Sequence, residues 1–416
     1  MSIAGKRSSR GAERGRIVVV ALAVALALAL VVPAAARAQR AGPDVCPWCE
    51  NDPQRLDAAG LVSHGPFPFA GKTSKAVQEH VSYARILWLE SRHHRIGSLL
   101  EEYTVPERDA KFVRAELTEL KEFFPKIDVR TRRLDPWLRL HIYAMRAEKF
   151  YQTFLDLLGL EDKDFPDGAS PHVLETGRKY MGEGPYLGEK EKFEVYLAET
   201  LSQYRDVVGG FFGLGTRKPQ RWNLIQHDAL WFGLWAQEPN LNSDIAVYCC
   251  LVHNLAHNYL DGFKHYSYDL PVWLTEGLGH WAQREVHPAY VNYDTIEGSA
   301  PFRQNGEGWP GDVRRLLIKG RAATLAELGR KHSFAELSYE DHLVTWSKID
   351  FLIATDRSKF GRFLDRMKGR LDPEGLPLSA GLVDEQRTAL QEVYGWTLYD
   401  FEEAWKAYVL ATYESK

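Results

Sequence analysis

The stretch YCCLVHNLAHNYLDGF, residues 248–263, carries two histidines four positions apart, His253 and His257. Ile245, Val247, Leu251, Val252, Leu255, Ala256, Tyr259 and Leu260 recur around all sides of a helical wheel, which predicts a buried helix over 244–260. Residues four apart share a helix face. Two imidazoles would therefore stand side by side on one rigid element, as a zinc ion needs from its first two ligands. The plain alternative is a pair of buried histidines satisfied by backbone carbonyls.

The next helix weighs against that alternative. LPVWLTEGLGHWAQRE spans 270–285, and Glu276 follows His257 by nineteen positions. A reversal through DGFKHYSYDLP would bring this helix back across the first, with Pro271 at its entry. Glu276 could then offer a carboxylate oxygen as third ligand. His280 lies on the same face as Glu276. It could be a fourth ligand, which would close the site, or a group behind the ligands, or a substitute base. Its plain reading is packing beside Trp281. Asp261 could fix the tautomer of His257 or simply shape an Asp-Gly turn.

H-x-x-x-H, eighteen residues, then Glu inside W-L-x-E-G resembles the gluzincin metallopeptidases, the peptidase-MA-like group that includes thermolysin and the zinc aminopeptidases. HLVTWSKIDFLI from His342 and FEEAWKAYV near the end are similar to that group's later helices. The resemblance covers roughly 165–413. It implies an α+β, mostly helical domain with zinc held by His253, His257 and Glu276. It further implies Tyr339 or His342 as donors to a substrate oxyanion. Two departures stand out. Asn254 occupies the position of the group's general base, and an amide takes up no proton at neutral pH; losing such a base costs about 10²–10⁴-fold in rate. The G-x-M-E-N box of the aminopeptidases is also absent.

Upstream, residues 1–38 read as a secretory signal: Lys6, Arg7, Arg10, Arg14 and Arg16, an apolar run, and Ala36-Arg37-Ala38 as a cleavage site. The expected location is periplasmic or secreted, with an N-terminal anchor as the lesser alternative. The chain has 416 residues, with 52 Lys and Arg against 56 Asp and Glu. Removing 1–38 takes away six basic and one acidic residue and leaves a net charge of −9. No basic patch is rich enough to suggest a nucleic-acid surface. Residues 39–75 read as an irregular arm, 76–163 as a helical region preceding the metal-binding domain, and 164–416 as that domain. EKFEVYLAE and RWNLIQ read as strands, and 271–285, 339–353, 359–368 and 397–413 as helices.

The arm holds Cys46-Pro47-Trp48-Cys49. A thiol-redox pair, a local disulfide, a tie to Cys249 or Cys250, and a metal-binding pair are the available readings; the disulfide is preferred. Three functions follow. The first is an exported zinc-binding pseudopeptidase that uses its site for structure or for a protein or peptide ligand. The second is an active zinc hydrolase with a displaced base. The third is a thiol-redox protein acting through Cys46 and Cys49.

Overall fold

The computed structural model describes residues 45–167, 179–241, 243–267, 270–291, 306–373, 378 and 380–414. The signal segment expected at 1–38 lies outside them.

Chain order is α1 (Pro53–Ala58), β1 (Leu61–Ser63), β2 (Pro68–Phe69), β3 (Lys72–Thr73), α2 (Ser74–His80), β4 (Leu87–Ser91), β5 (His94–Ser98) and β6 (Tyr103–Thr104). Then come α3 (Ala110–Phe123), β7 (Arg133–Leu134), α4 (Pro136–Leu158), β8 (Phe193–Ala198), α5 (Leu201–Phe212), β9 (Gln220–Leu224) and β10 (Ala229–Trp235). The remainder is helical: α6 (Asp244–Gly262), α7 (Val272–Val286), α8 (Trp309–Ile318), α9 (Leu325–Leu328), α10 (Tyr339–Thr355), α11 (Arg357–Met367), α12 (Leu382–Tyr394) and α13 (Leu398–Thr412).

One mixed sheet organises the α+β fold, in the order β1-β4-β5-β8-β10-β9. The two parallel pairings are β5 with β8, where Ile96 faces Val195, and β8 with β10, where Val195 faces Phe232. Parallel neighbours need a crossover, and α3 and α4 lie on the one between β5 and β8. Alternate side chains feed two cores. Trp88, Tyr196, Ala198 and Trp231 pack with Val77, Tyr204, Val207 and Val208 of α2 and α5. Leu87, Leu89, Ile96, Val195, Leu197 and Phe232 pack into the large helical layer on the other face.

The expected helical region at 76–163 is therefore only partly helical, since it supplies strands β4 and β5. Every residue of β5 is buried, and only Glu90 of β4 is not. A strand buried on both faces loses its polar alternation, and β5, with His94, Arg95 and Ser98 buried beside the single apolar Ile96, carries no strand pattern at all. The expected arm also contributes β1 to the sheet. The boundaries at 75 and 163 are thus not structural seams, and Gly42–Lys416 forms one compact unit.

Three connections position the helix that carries His253 and His257. Ser243 Oγ caps α6 by accepting from Ala246 N. Asp244 in its first turn pairs with Arg146 of α4 at 2.7 Å and accepts from Tyr143 OH at 2.9 Å. Arg146, fully buried, also grips Glu116 of α3 through two bonds of 2.8 and 2.9 Å. The start of α6 is thereby tied to both crossover helices. The helices expected at 244–260, 271–285, 339–353, 359–368 and 397–413 all form, with ends displaced by one or two residues.

Candidate metal centre

Helix α6 is buried nearly end to end, and α7 packs along it. Pro271 precedes α7 as its cap residue. Close approach of the two helices depends on Gly279. A Cβ there would stand 2.8 Å from His257 Nε2 and 3.0 Å from His253 Nδ1. On the other side of α7, a Cβ on Gly277 would meet the Thr345 carbonyl of α10 at 2.8 Å. The two glycines let α7 lie tightly between α6 and α10.

The packing brings His253, His257 and Glu276 together as one ligand set, with all three side chains buried. Glu276 Oε2 is 3.3 Å from His257 Nε2 and 3.9 Å from His253 Nε2. Neither ring nitrogen of His253 has a hydrogen-bond partner, although the residue is only 1 % exposed. An unsatisfied buried polar atom costs about 1–3 kcal/mol, so this imidazole is costly in place unless it binds something.

The other carboxylate oxygen is held from behind. Glu276 Oε1 lies 3.0 Å from His280 Nε2 and 3.1 Å from His342 Nδ1, and those two nitrogens are 3.0 Å apart. Gln283 Nε2 donates to His280 Nδ1 at 2.9 Å. That amide orientation assigns the ring proton to Nε2, facing the carboxylate. Glu276, His280 and His342 form a second group of ligand-like spacing, but a protonated Nε2 cannot ligate. His280 does not join His253 and His257 in one ligand set. It lies on the Oε1 side of the carboxylate, where it fixes the orientation of Glu276.

Burial drives the His253 imidazole well below its usual range and His257 down to about 4. Burial opposes ionisation of Glu276, but His280 and the hydrogen bonds from His257, His280 and His342 prevail and hold it far below the carboxylate range. Neutral imidazoles beside an ionised carboxylate are the protonation state a divalent metal requires. The donor set, two nitrogens and one carboxylate oxygen, suits zinc.

The remaining expected residues sit as follows. Asn254 donates Nδ2 to the Cys250 carbonyl at 2.8 Å, one turn back along α6. His342 is buried against Glu276. Tyr339 opens α10, half-buried against the core. The Asp261 carboxylate stands 4.0 Å from Arg221 of β9. Phe334 lies 5.6 Å from the His257 ring and is covered in turn by Arg221. Gln283, Gly279 and Arg221 carry no sequence signal of their own; their roles come from packing.

Cys46, Cys49, Cys249 and Cys250 are all free thiols, so the disulfide expected at Cys46 and Cys49 is not formed. Cys46 and Cys49 are fully buried and face His141 and His64. Interaction with Cys49, together with burial, raises the Cys46 thiol, whereas Cys46, His141 and His64 lower Cys49.

A different histidine cluster joins the sheet to the helices. Glu148 of α4 takes His93 Nδ1 at 2.6 Å and His94 Nδ1 at 2.8 Å. The far nitrogens meet Asp162 at 3.1 Å and Tyr259 OH at 2.6 Å. Burial opposes protonation of His93, but Asp162 and Glu148 outweigh it and push the ring up to about 9.

Among the described residues no helix is long and apolar enough to cross a membrane. No protein-family model matches the chain, and no curated protein or solved structure matches it.

Proposed function

We propose that this chain is an exported zinc-binding protein with a gluzincin-like domain, whose centre of His253, His257 and Glu276 serves ligand binding or structure rather than peptide hydrolysis. The observation that carries the reading is His253. It is a buried imidazole with neither nitrogen satisfied, set beside a second histidine and an ionised carboxylate. Zinc at this point would satisfy His253 and supply a Lewis acid with a position not filled by the three protein ligands.

The residues around it favour holding over hydrolysis. Asn254 is bonded to its own helix and takes up no proton. His280 is committed to Glu276 and to Gln283, which argues for positioning and against a displaced base. The ligand class is an extended peptide or protein segment. Strand β9 is the outermost strand on its side of the sheet, and its Arg221 neighbours Asp261 and Phe334 beside His257. A sheet edge offers main-chain pairing to such a segment.

Metal analysis of the purified chain beside His253→Ala tests the proposal. The parent is expected to hold one zinc more than the variant and to show no peptidase activity. Equal metal in the two proteins would remove the metal reading. Asn254→Glu then probes the cleft: gained hydrolysis means a substrate path that lacks only its base, whereas zinc binding without hydrolysis means a centre built for holding.

A further inference from the structure

The turn Cys46–Cys49, the residue just after β1 and the second turn of α4 meet at one point. Cys46 Sγ lies 3.2 Å from His141 Nε2, and Cys49 Sγ lies 3.1 Å from His64 Nε2. All four donor atoms fall within 4.8 Å of one another. Zinc bonded to sulfur at about 2.3 Å and to nitrogen at about 2.05 Å would set neighbouring tetrahedral S···N edges near 3.5 Å. The observed spacing needs only a small outward adjustment to admit the ion.

The surroundings are built for that geometry. His64 Nδ1 donates to the Trp88 carbonyl at 2.7 Å, which turns its Nε2 lone pair toward Cys49. The Trp48 backbone N–H points at Cys46 Sγ, 3.4 Å away, and the Asn51 side chain accepts from Cys46 N at 3.1 Å. Trp48 Nε1 donates to Asp135, the residue that caps α4, at 3.0 Å. The turn is thus docked on the helix that carries His141. Cys46, Cys49 and His141 are at most 1 % exposed.

We infer that Cys46, Cys49, His64 and His141 form a closed, tetrahedral zinc site that staples the N-terminal segment and β1 to α4. Zinc takes both sulfurs as thiolates, and whatever proton they hold in the metal-free state goes to solvent. Two thiolates, two neutral imidazoles and one divalent ion then sum to zero charge, which suits a buried place. Four protein ligands leave no position for water, so the site is structural. It also accounts for the Cys-x-x-Cys pair without redox chemistry. Thiol catalysis needs an accessible sulfur, and these sulfurs are sealed.

The test is separable from that of the histidine–glutamate centre. The full mature chain is loaded with Co²⁺ and its near-ultraviolet spectrum recorded. A thiolate-to-cobalt charge-transfer band is expected in the parent and in His253→Ala alike, and not in Cys46→Ser/Cys49→Ser. By zinc analysis the cysteine pair variant should lose one equivalent, as His253→Ala loses a different one. Should the cysteine variant not fold, the parent decides alone. Cys46 and Cys49 should resist alkylation until a chelator is added, with an intact mass corresponding to four thiols. A mass two hydrogens lower with a Cys46–Cys49 cross-linked peptide, or a cobalt-loaded parent without the charge-transfer band, overturns the inference.

Discussion

Two clusters in this molecule are made of the same materials and have opposite chemistry. His93, His94 and Glu148 are two imidazoles on one carboxylate, as are His253, His257 and Glu276. In the first, every ring nitrogen has a partner, and His93 holds a proton because Glu148 and Asp162 face it from both sides. That cluster is complete in itself. In the second, both nitrogens of His253 are unmatched and the rings are kept neutral. Buried histidine and carboxylate are therefore not enough to mark a metal centre. What sets the second cluster apart is His253, whose two nitrogens are left over after internal hydrogen bonds are counted.

The contrast can be broken most forcefully at the two carboxylates. Glu148→Ala strands His93 and His94 and should cost about 3–5 kcal/mol in urea unfolding, with or without chelator, and leave zinc content unchanged. Glu276→Ala should do the reverse: it should empty the centre of zinc and erase the part of its stability that responds to chelator. If zinc content follows Glu148 instead, the two clusters have been assigned the wrong way round.

The next effect is on pH. His93 is raised in the folded state, so its contribution is complete below about pH 6.5, the unfolded value, and is lost as pH climbs through about 9. The expected decline over that window is of the order of 3 kcal/mol. It should be missing from the pH profile of His93→Gln. The proposed zinc centre should titrate on the other side, releasing its metal as pH falls and its imidazoles protonate.

Smaller effects sharpen the role of the groups behind Glu276. Gln283→Leu removes the bond that sets the His280 tautomer, and competition titration should show zinc held about 10–100-fold more weakly. Gly279→Ala places a methyl 2.8 Å from His257 Nε2. It should cost roughly 1 kcal/mol in stability and loosen zinc by less than about tenfold. A tighter-binding Gly279→Ala protein would show that the gap at Gly279 exceeds what the ion needs.

Much of the centre was legible in the sequence because its elements are long, regular helices. The spacing of His253, His257 and Glu276 survives as a local pattern, and α6 and α7 form where the apolar period and Pro271 place them. His280 and His342 were legible as candidates, but their contact with each other was not, because such residues meet through space. His342 lies 62 positions from His280, and His141 lies 95 from Cys46. His64, fifteen residues after Cys49, is the one nearby hint that the Cys-x-x-Cys pair had nitrogen partners. Strands β4 and β5 escaped for a different reason. Their two buried faces erase the alternation by which a strand is recognised, and Gly97 faces Trp88 across the pair because the indole covers it.

The sheet order has a consequence for how the chain acquires its shape. Strand β5 finds its parallel partner β8 only after both crossover helices have been made, with almost a hundred residues between the paired positions Ile96 and Val195. Loop closure of that length must be met before the pairing stabilises anything, and such topologies fold slowly. During synthesis the N-terminal strands emerge first and wait, with apolar faces uncovered, until β10 has followed. The early stage is where this protein is open to aggregation and most in need of a holding partner. A zinc clip between β1 and the start of α4 would close early, using segments already made, and would shorten the search that remains.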